Sequence, residues 1–240
     1  MTQRCSTERV ERFSSSVRRL SRAAAICLFL VLMLPIGSQA KPVSAVSSGP
    51  ATTHVYLLRG VLNIFSLGLD DIAARLRAQG ISVTVANFVS WSSLADDAAA
   101  GYKSGRLKTI ILVGHSSGAT ALPDMIAKLD SLGVPVKLAI GLDSVFRTKL
   151  SGKAERYLNF YIANGAGEPV TQTPGFRGKL ENINVQSVPG VGHITIDKNE
   201  IMQRKVIGAI DSVVFGRSRE PAIAAQPNTG GRGGAATARN

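Results

Sequence analysis

Thiol chemistry is the first thing this sequence is short of. Its two cysteines are Cys5 and Cys27, so nothing after residue 27 can form a disulfide or carry a reactive thiol. Histidine is nearly as scarce, with three residues in 240, at positions 54, 115 and 193. Three scattered imidazoles and no downstream cysteine give no metal-ligand cluster, so no metal is expected. No Gly-rich phosphate loop opens a helix, and no cofactor is expected. Aromatic residues make up only 5% of the chain, and lysine and arginine form no block. A nucleic-acid surface needs basic clustering with interleaved aromatics, which excludes nucleic acid as the expected partner. The net charge of +12 comes largely from the ends. Six arginines and two glutamates precede residue 41, and four arginines and one glutamate follow residue 216.

The N-terminus has a recognisable layout. Arg4 to Arg22 form a basic stretch, Ala23 to Pro35 are apolar and uncharged, and Gly37-Ser38-Gln39-Ala40 ends in small residues. This is the tripartite pattern of a secretory signal peptide, cut after Ala40, and it predicts export to the periplasm or beyond. The alternative is an uncleaved inner-membrane anchor over residues 23–37, a run short of the roughly 20 apolar residues of a span. Membrane contact is expected only through that segment. Arg18-Arg19 leaves the export route open between the general and twin-arginine systems. Ile26 before Cys27 is not the small residue a lipidated cysteine wants. Residues 41–53 read as a linker, 54–216 as one folded domain, and 217–240, rich in Gly, Ala, Pro and Arg, as a disordered tail.

Within the domain, β-type runs at His54–Leu58, Ile81–Val85, Thr109–Val113, Val136–Leu142, Tyr157–Ala163 and Asn182–Val188 alternate with helical spacing. Ser66 is expected to cap a helix that stops at Gly80, and a second helix runs from Leu94 to about Tyr102. Pro123 predicts a kink in the third. Asp197 with Glu200 resembles a capping box for a last helix through Val213. The expected fold is therefore α/β, a doubly wound, mostly parallel sheet of about six strands flanked by helices, with right-handed crossovers. Sites in such sheets form at the C-terminal ends of strands, where the chemically capable residues of this chain fall.

The central feature is Gly114-His115-Ser116-Ser117-Gly118, which follows a buried-type strand and opens a helix. That is the G-x-S-x-G layout of a nucleophile elbow. Ser116 is a poor nucleophile until a base takes its proton. His193, in Gly190-Val191-Gly192-His193 after the last strand, is the histidine placed to do so. His115 inside the elbow is expected to point away and pack, and His54 reads as a strand-end residue. Trp91 reads as core. An acid must hold the imidazole's tautomer. Asp143, at the end of the fourth strand, is favoured over Glu168, which sits in a loose loop after the fifth.

With the order Ser…Asp…His, residues 54–215 resemble the α/β-hydrolase superfamily with its first two strands missing. Gly141-Leu142-Asp143 looks like the acid-bearing strand end of some lipases. The resemblance implies a serine hydrolase cleaving a carboxylic ester or thioester of a small-molecule or lipid-like acyl substrate through an acyl-enzyme. Its catalytic residues would be Ser116, Asp143 and His193, its oxyanion hole the backbone N–H groups of Ser117 and of Val61 or Leu62. An acyltransferase or an amidase or peptidase with the same triad, or an inactive binding protein on this fold, are the other readings. No insertion large enough for a lid domain interrupts the core.

Overall fold

A computed structural model describes residues 49–216. The expected leader and most of the linker before residue 49, and the tail from 217, lie outside the described residues. Six parallel strands form one sheet: β1 (Thr53–Arg59), β2 (Ser82–Asn87), β3 (Thr109–His115), β4 (Val136–Leu142), β6 (Lys153–Tyr161) and β8 (Arg177–Asn184). Their order is β2-β1-β3-β4-β6-β8. The two-residue strands β5 (Lys149–Leu150) and β7 (Thr171–Gln172) pair with each other beside it. The helices are α1 (Gly68–Ala78), α2 (Trp91–Lys103), α3 (Ser117–Ser131) and α4 (Glu200–Phe215).

Alternation along each strand assigns the side chains to two faces. Val55, Leu57, Ile111, Val113 and Ile140 face one core with Leu69, Ile72 and Leu76 of α1 and Val206 and Ile210 of α4. Tyr56, Leu58, Ile110 and Leu112 face the other, against Ala95 and Ala98 of α2 and Leu122, Met125 and Ile126 of α3. Two helices therefore cover each face of one parallel sheet, the doubly wound α/β architecture expected from the alternation. Each fully buried Leu or Ile contributes about 1.5–3 kcal/mol relative to exposure. β3 is buried at all seven positions, as its unbroken apolar run requires.

Several boundaries differ from expectation. The last strand begins at Arg177 rather than Asn182 and ends before Val188. It lies at the sheet's edge and is mostly polar and part-exposed, so it offers no apolar run to read. Trp91 is the first residue of α2, half-buried against the second core. Helix α3 is unbroken from Ser117 to Ser131 with Pro123 inside it. Proline has no N–H, so the Ala119 carbonyl lacks its helical donor there. Ser66 does not cap α1. It ends a 3-10 turn (Ile64–Ser66), and Leu67 precedes the helix. Asp197 does not cap the last helix either: Asn199 does, its Oδ1 accepting from the N–H groups of Ile201 and Met202.

The chain runs from β1 outward to β2, then returns to place β3 on β1's other side. Loops leaving β1 and β3 at their C-terminal ends therefore diverge to opposite faces and open a crevice. The turn from β3 into α3 crowds this point. A Cβ on Gly114 would lie 2.4 Å from the Gly118 carbonyl oxygen, and one on Gly118 would lie 2.0 Å from that of Leu58. Gly118→Ala must push α3 off β1. We expect it to cost more than about 3 kcal/mol or to prevent folding, measured by urea denaturation of the purified chain.

Candidate active site

Ser116 stands between β3 and α3 with φ 57° and ψ −123°, a conformation costly for any residue with a Cβ. The turn lifts its hydroxyl out of the strand line. Its N–H donates to the Leu142 carbonyl at 3.0 Å, which holds the elbow to the end of β4. Asp143, the next residue along β4, also has positive φ, at 49°. The two strained residues thus sit side by side at adjacent strand ends.

The structure brings Ser116, His193 and Asp143 into one hydrogen-bonded line. His193 Nδ1 lies 2.7 Å from Asp143 Oδ2, and Nε2 lies 3.1 Å from Ser116 Oγ. A carboxylate oxygen accepts, so Nδ1 carries the proton and Nε2 is left to accept from the serine hydroxyl. Asp143 is fully buried, and its Oδ1 accepts from the Ile162 N–H at 3.0 Å. Both carboxylate oxygens are therefore engaged and its orientation is set. The loop beyond β6 closes over it, since a Cβ on Gly167 would lie 1.9 Å from Oδ1.

Glu168 is next in sequence but turned elsewhere. Its Oε2 accepts from Arg147 Nε at 2.6 Å on the surface, while its backbone carbonyl accepts from Asn159 Nδ2. His54 lies on β1, bonded to Thr84 Oγ1 across the strands, away from this line.

A pocket of about 180 Å³ opens over Ser116, lined by Gly60, Val61, Leu62, Phe65, His115, His193 and Ile194 among others. Gly60 presses on the serine: a Cβ there would lie 3.1 Å from Ser116 Cβ. The loop after β1 is held by Asn87 at the end of β2, whose amide donates to the Gly60 carbonyl and to Asn63 Oδ1. Ser117 is the first residue of α3, so its N–H has no acceptor within the helix and lies at the positive end of the dipole. The pocket rim is apolar and open to solvent, with Val61 61%, Leu62 60% and Phe65 44% exposed.

Three side chains here were misread or undervalued from sequence. Ser66 Oγ accepts the Gly60 N–H at 3.0 Å and meets His115 Nδ1 at 2.8 Å. His115 is fully buried, as packing predicts, but is also bonded at both nitrogens, its Nε2 lying 2.8 Å from the His193 carbonyl oxygen. Burial pushes its pKa down to about 4, against the opposing pull of the hydrogen bond to the His193 carbonyl. Asp197 is fully buried, and its Oδ2 accepts the Gly68 N–H at 2.8 Å, so it caps α1 from the far end of the chain. No local pattern signals a partner that distant in sequence. Among the described residues no group of three or more His, Cys, Asp or Glu could hold a metal ion. None of their helices is long and apolar enough to cross a membrane.

No family model matches the chain. No curated protein matches it either. Among solved structures it is similar to a Xanthomonas campestris protein described as a "putative hydrolase of the alpha/beta superfamily". The identity is 14% and the TM-score 0.41, over 66% of this chain and 98% of that one.

Burial raises the Asp197 pKa to about 6, against the opposing pull of Lys198 and the Gly68 N–H. A raised acid pKa means the folded state holds the proton more tightly than the unfolded chain. Stability is therefore lost as pH rises from about 4 to above 6. Asp197→Asn keeps an acceptor and removes the charge. Denaturation at pH 4 and pH 8 should show the parent losing on the order of 1–3 kcal/mol relative to Asp197→Asn over that interval.

Proposed function

We propose that the protein is a serine hydrolase that cleaves a carboxylic ester or thioester through an acyl-enzyme on Ser116. The observation that carries the reading is the Ser116–His193–Asp143 line on a strained strand–turn–helix elbow. In the forward step Ser116 Oγ attacks the acyl carbon while its proton passes to His193 Nε2. The new imidazolium is stabilised by buried Asp143. The carbonyl oxygen gains negative charge and takes hydrogen bonds from the Ser117 N–H and from that of Val61 or Leu62. Each such donor is worth about 10²–10³ in rate. His193 then gives its proton to the departing alcohol or thiol. Water, deprotonated by the same nitrogen, releases the acid and restores Ser116.

The exposed rim of Val61, Leu62, Phe65 and Ile194 supports an apolar acyl group. At about 180 Å³ the pocket is smaller than the roughly 300–1,000 Å³ of sites that enclose a whole ligand. It suits a short acyl chain held against the rim, with the rest of the substrate outside. An exported location, set by the leader reading, belongs to the same proposal.

Fluorophosphonate should label the full chain, and Ser116→Ala should abolish the adduct. A Ser116-independent adduct, or none, sinks the hydrolase. Against a short-chain p-nitrophenyl ester, Asp143→Asn should lower kcat by about 10³–10⁴, because the imidazole loses the partner that holds its tautomer. Glu168→Gln should stay within about threefold of the parent, since it loses only an exposed ion pair. The reverse ranking would transfer the acid's role to Glu168.

A further inference from the structure

We propose that Ser66 and His115 are positioning residues, forming a bridge beneath the pocket that sets the spacing between the oxyanion loop and the His193 loop. This rests on the hydrolase reading for its consequence, though the bridge itself is defined by hydrogen bonds alone.

The bridge has a forced direction. The His193 carbonyl oxygen can only accept, so His115 Nε2 must carry the proton and donate to it at 2.8 Å. His115 Nδ1 is then an acceptor, and the Ser66 hydroxyl donates to it at 2.8 Å. The Ser66 oxygen in turn accepts the Gly60 N–H at 3.0 Å. No member can be reversed, because a backbone N–H cannot accept and a carbonyl cannot donate. Every polar atom of this buried chain has its partner, a condition that makes such networks rigid rather than costly. The depressed His115 pKa keeps the ring in the one neutral form that fits.

What the bridge connects gives it a role beyond packing. At one end is Gly60, so close to Ser116 that a Cβ there would lie 3.1 Å from the serine Cβ, and next to Val61 and Leu62, one of which is proposed to give its N–H to the oxyanion. At the other is the main chain of the base itself. His115 is the last residue of β3 and Ser116 stands in the turn that follows it, and both border the pocket. Ser116 Oγ meets the His193 ring, while His115 ties the two flanking loops together. Reaction requires the oxyanion donor and the imidazole to be placed together against one tetrahedral centre, and a displacement of about 1 Å in such a site can cost about 10²-fold. Substrate binding by the exposed apolar rim does not need that registry. Losing the bridge should therefore lower kcat and spare KM.

The test uses the full chain and a short-chain p-nitrophenyl ester. Ser66→Ala and His115→Phe should each lower kcat by about 10- to 100-fold with KM within about twofold. Ser66→Thr keeps the hydroxyl, and His115→Gln keeps an N–H near the Nε2 position. Each should recover most of the lost kcat. A kcat within twofold of the parent in both disrupting variants, or losses that follow the folded fraction by circular dichroism without rescue, would overturn the proposal. If the parent carries no Ser116-dependent fluorophosphonate adduct, the hydrolase reading fails separately. The bridge is then decided by 15N imidazole NMR. His115 should stay neutral with its proton on Nε2 at pH 6, and Ser66→Ala should move the His193 resonances. A His115 that titrates in the ordinary range, or His193 resonances unmoved by Ser66→Ala, overturns it in that case.

Discussion

The close approach of α3 to the ends of β1 and β3 is the constraint on which the site depends. Gly114 and Gly118 let the helix backbone come within contact of the strand carbonyls. That approach forces Ser116 into positive φ, and the strain aims its hydroxyl at the crevice. It also brings Gly60 close to the serine and starts α3 at Ser117, directly after it. The turn itself is placed by backbone contacts at Gly114 and Gly118, which cannot adapt as a side chain could.

Much of this is legible in the chain, for identifiable reasons. A strand buried on both faces must be apolar throughout, so Thr109–Val113 announces β3, and the glycines and serine after it announce the turn. Asp143 can be favoured because the last five residues of its strand, Leu138 to Leu142, are apolar and buried and lead directly to the carboxylate. Edge strand β8 is poorly legible, since five of its eight residues are exposed and no period survives. Glu168 competes with Asp143 on paper because both acids follow strands. What separates them is which carboxylate is turned inward, and that depends on Gly167 packing onto Asp143 and on Arg147 drawing Glu168 outward.

Ser66 and Asp197 show a different limit. Both are residue types that cap helices, and both stand just before one, so local reasoning assigns them as caps. Each instead reaches a partner that sequence proximity does not indicate: Ser66 bonds an imidazole 49 positions on, and Asp197 an N–H 129 positions back. Asp197 still accepts an N–H as a cap would, but that of another helix, whereas Ser66 accepts the Gly60 N–H and donates its own proton to the ring. Asn199, two residues after Asp197, takes the cap that Asp197 was expected to supply.

These long-range bonds have a common effect. The segment from Gly60 to Gly68 and the loop from His193 to Asn199 contain few buried apolar side chains, so the hydrophobic cores do not fix one against the other. Polar ties do so instead: His115 between Ser66 and the His193 carbonyl, Asp197 to the Gly68 N–H, and Gln203 Nε2 to both the Gly68 and Asp197 carbonyls. The apolar rim around Ser116 can therefore stay exposed without leaving its loop loose. A loop held by its own apolar side chains would have had to bury the surface the pocket presents. Satisfying buried hydrogen bonds behind the pocket, and leaving the apolar groups in front of it unburied, meets both requirements at once.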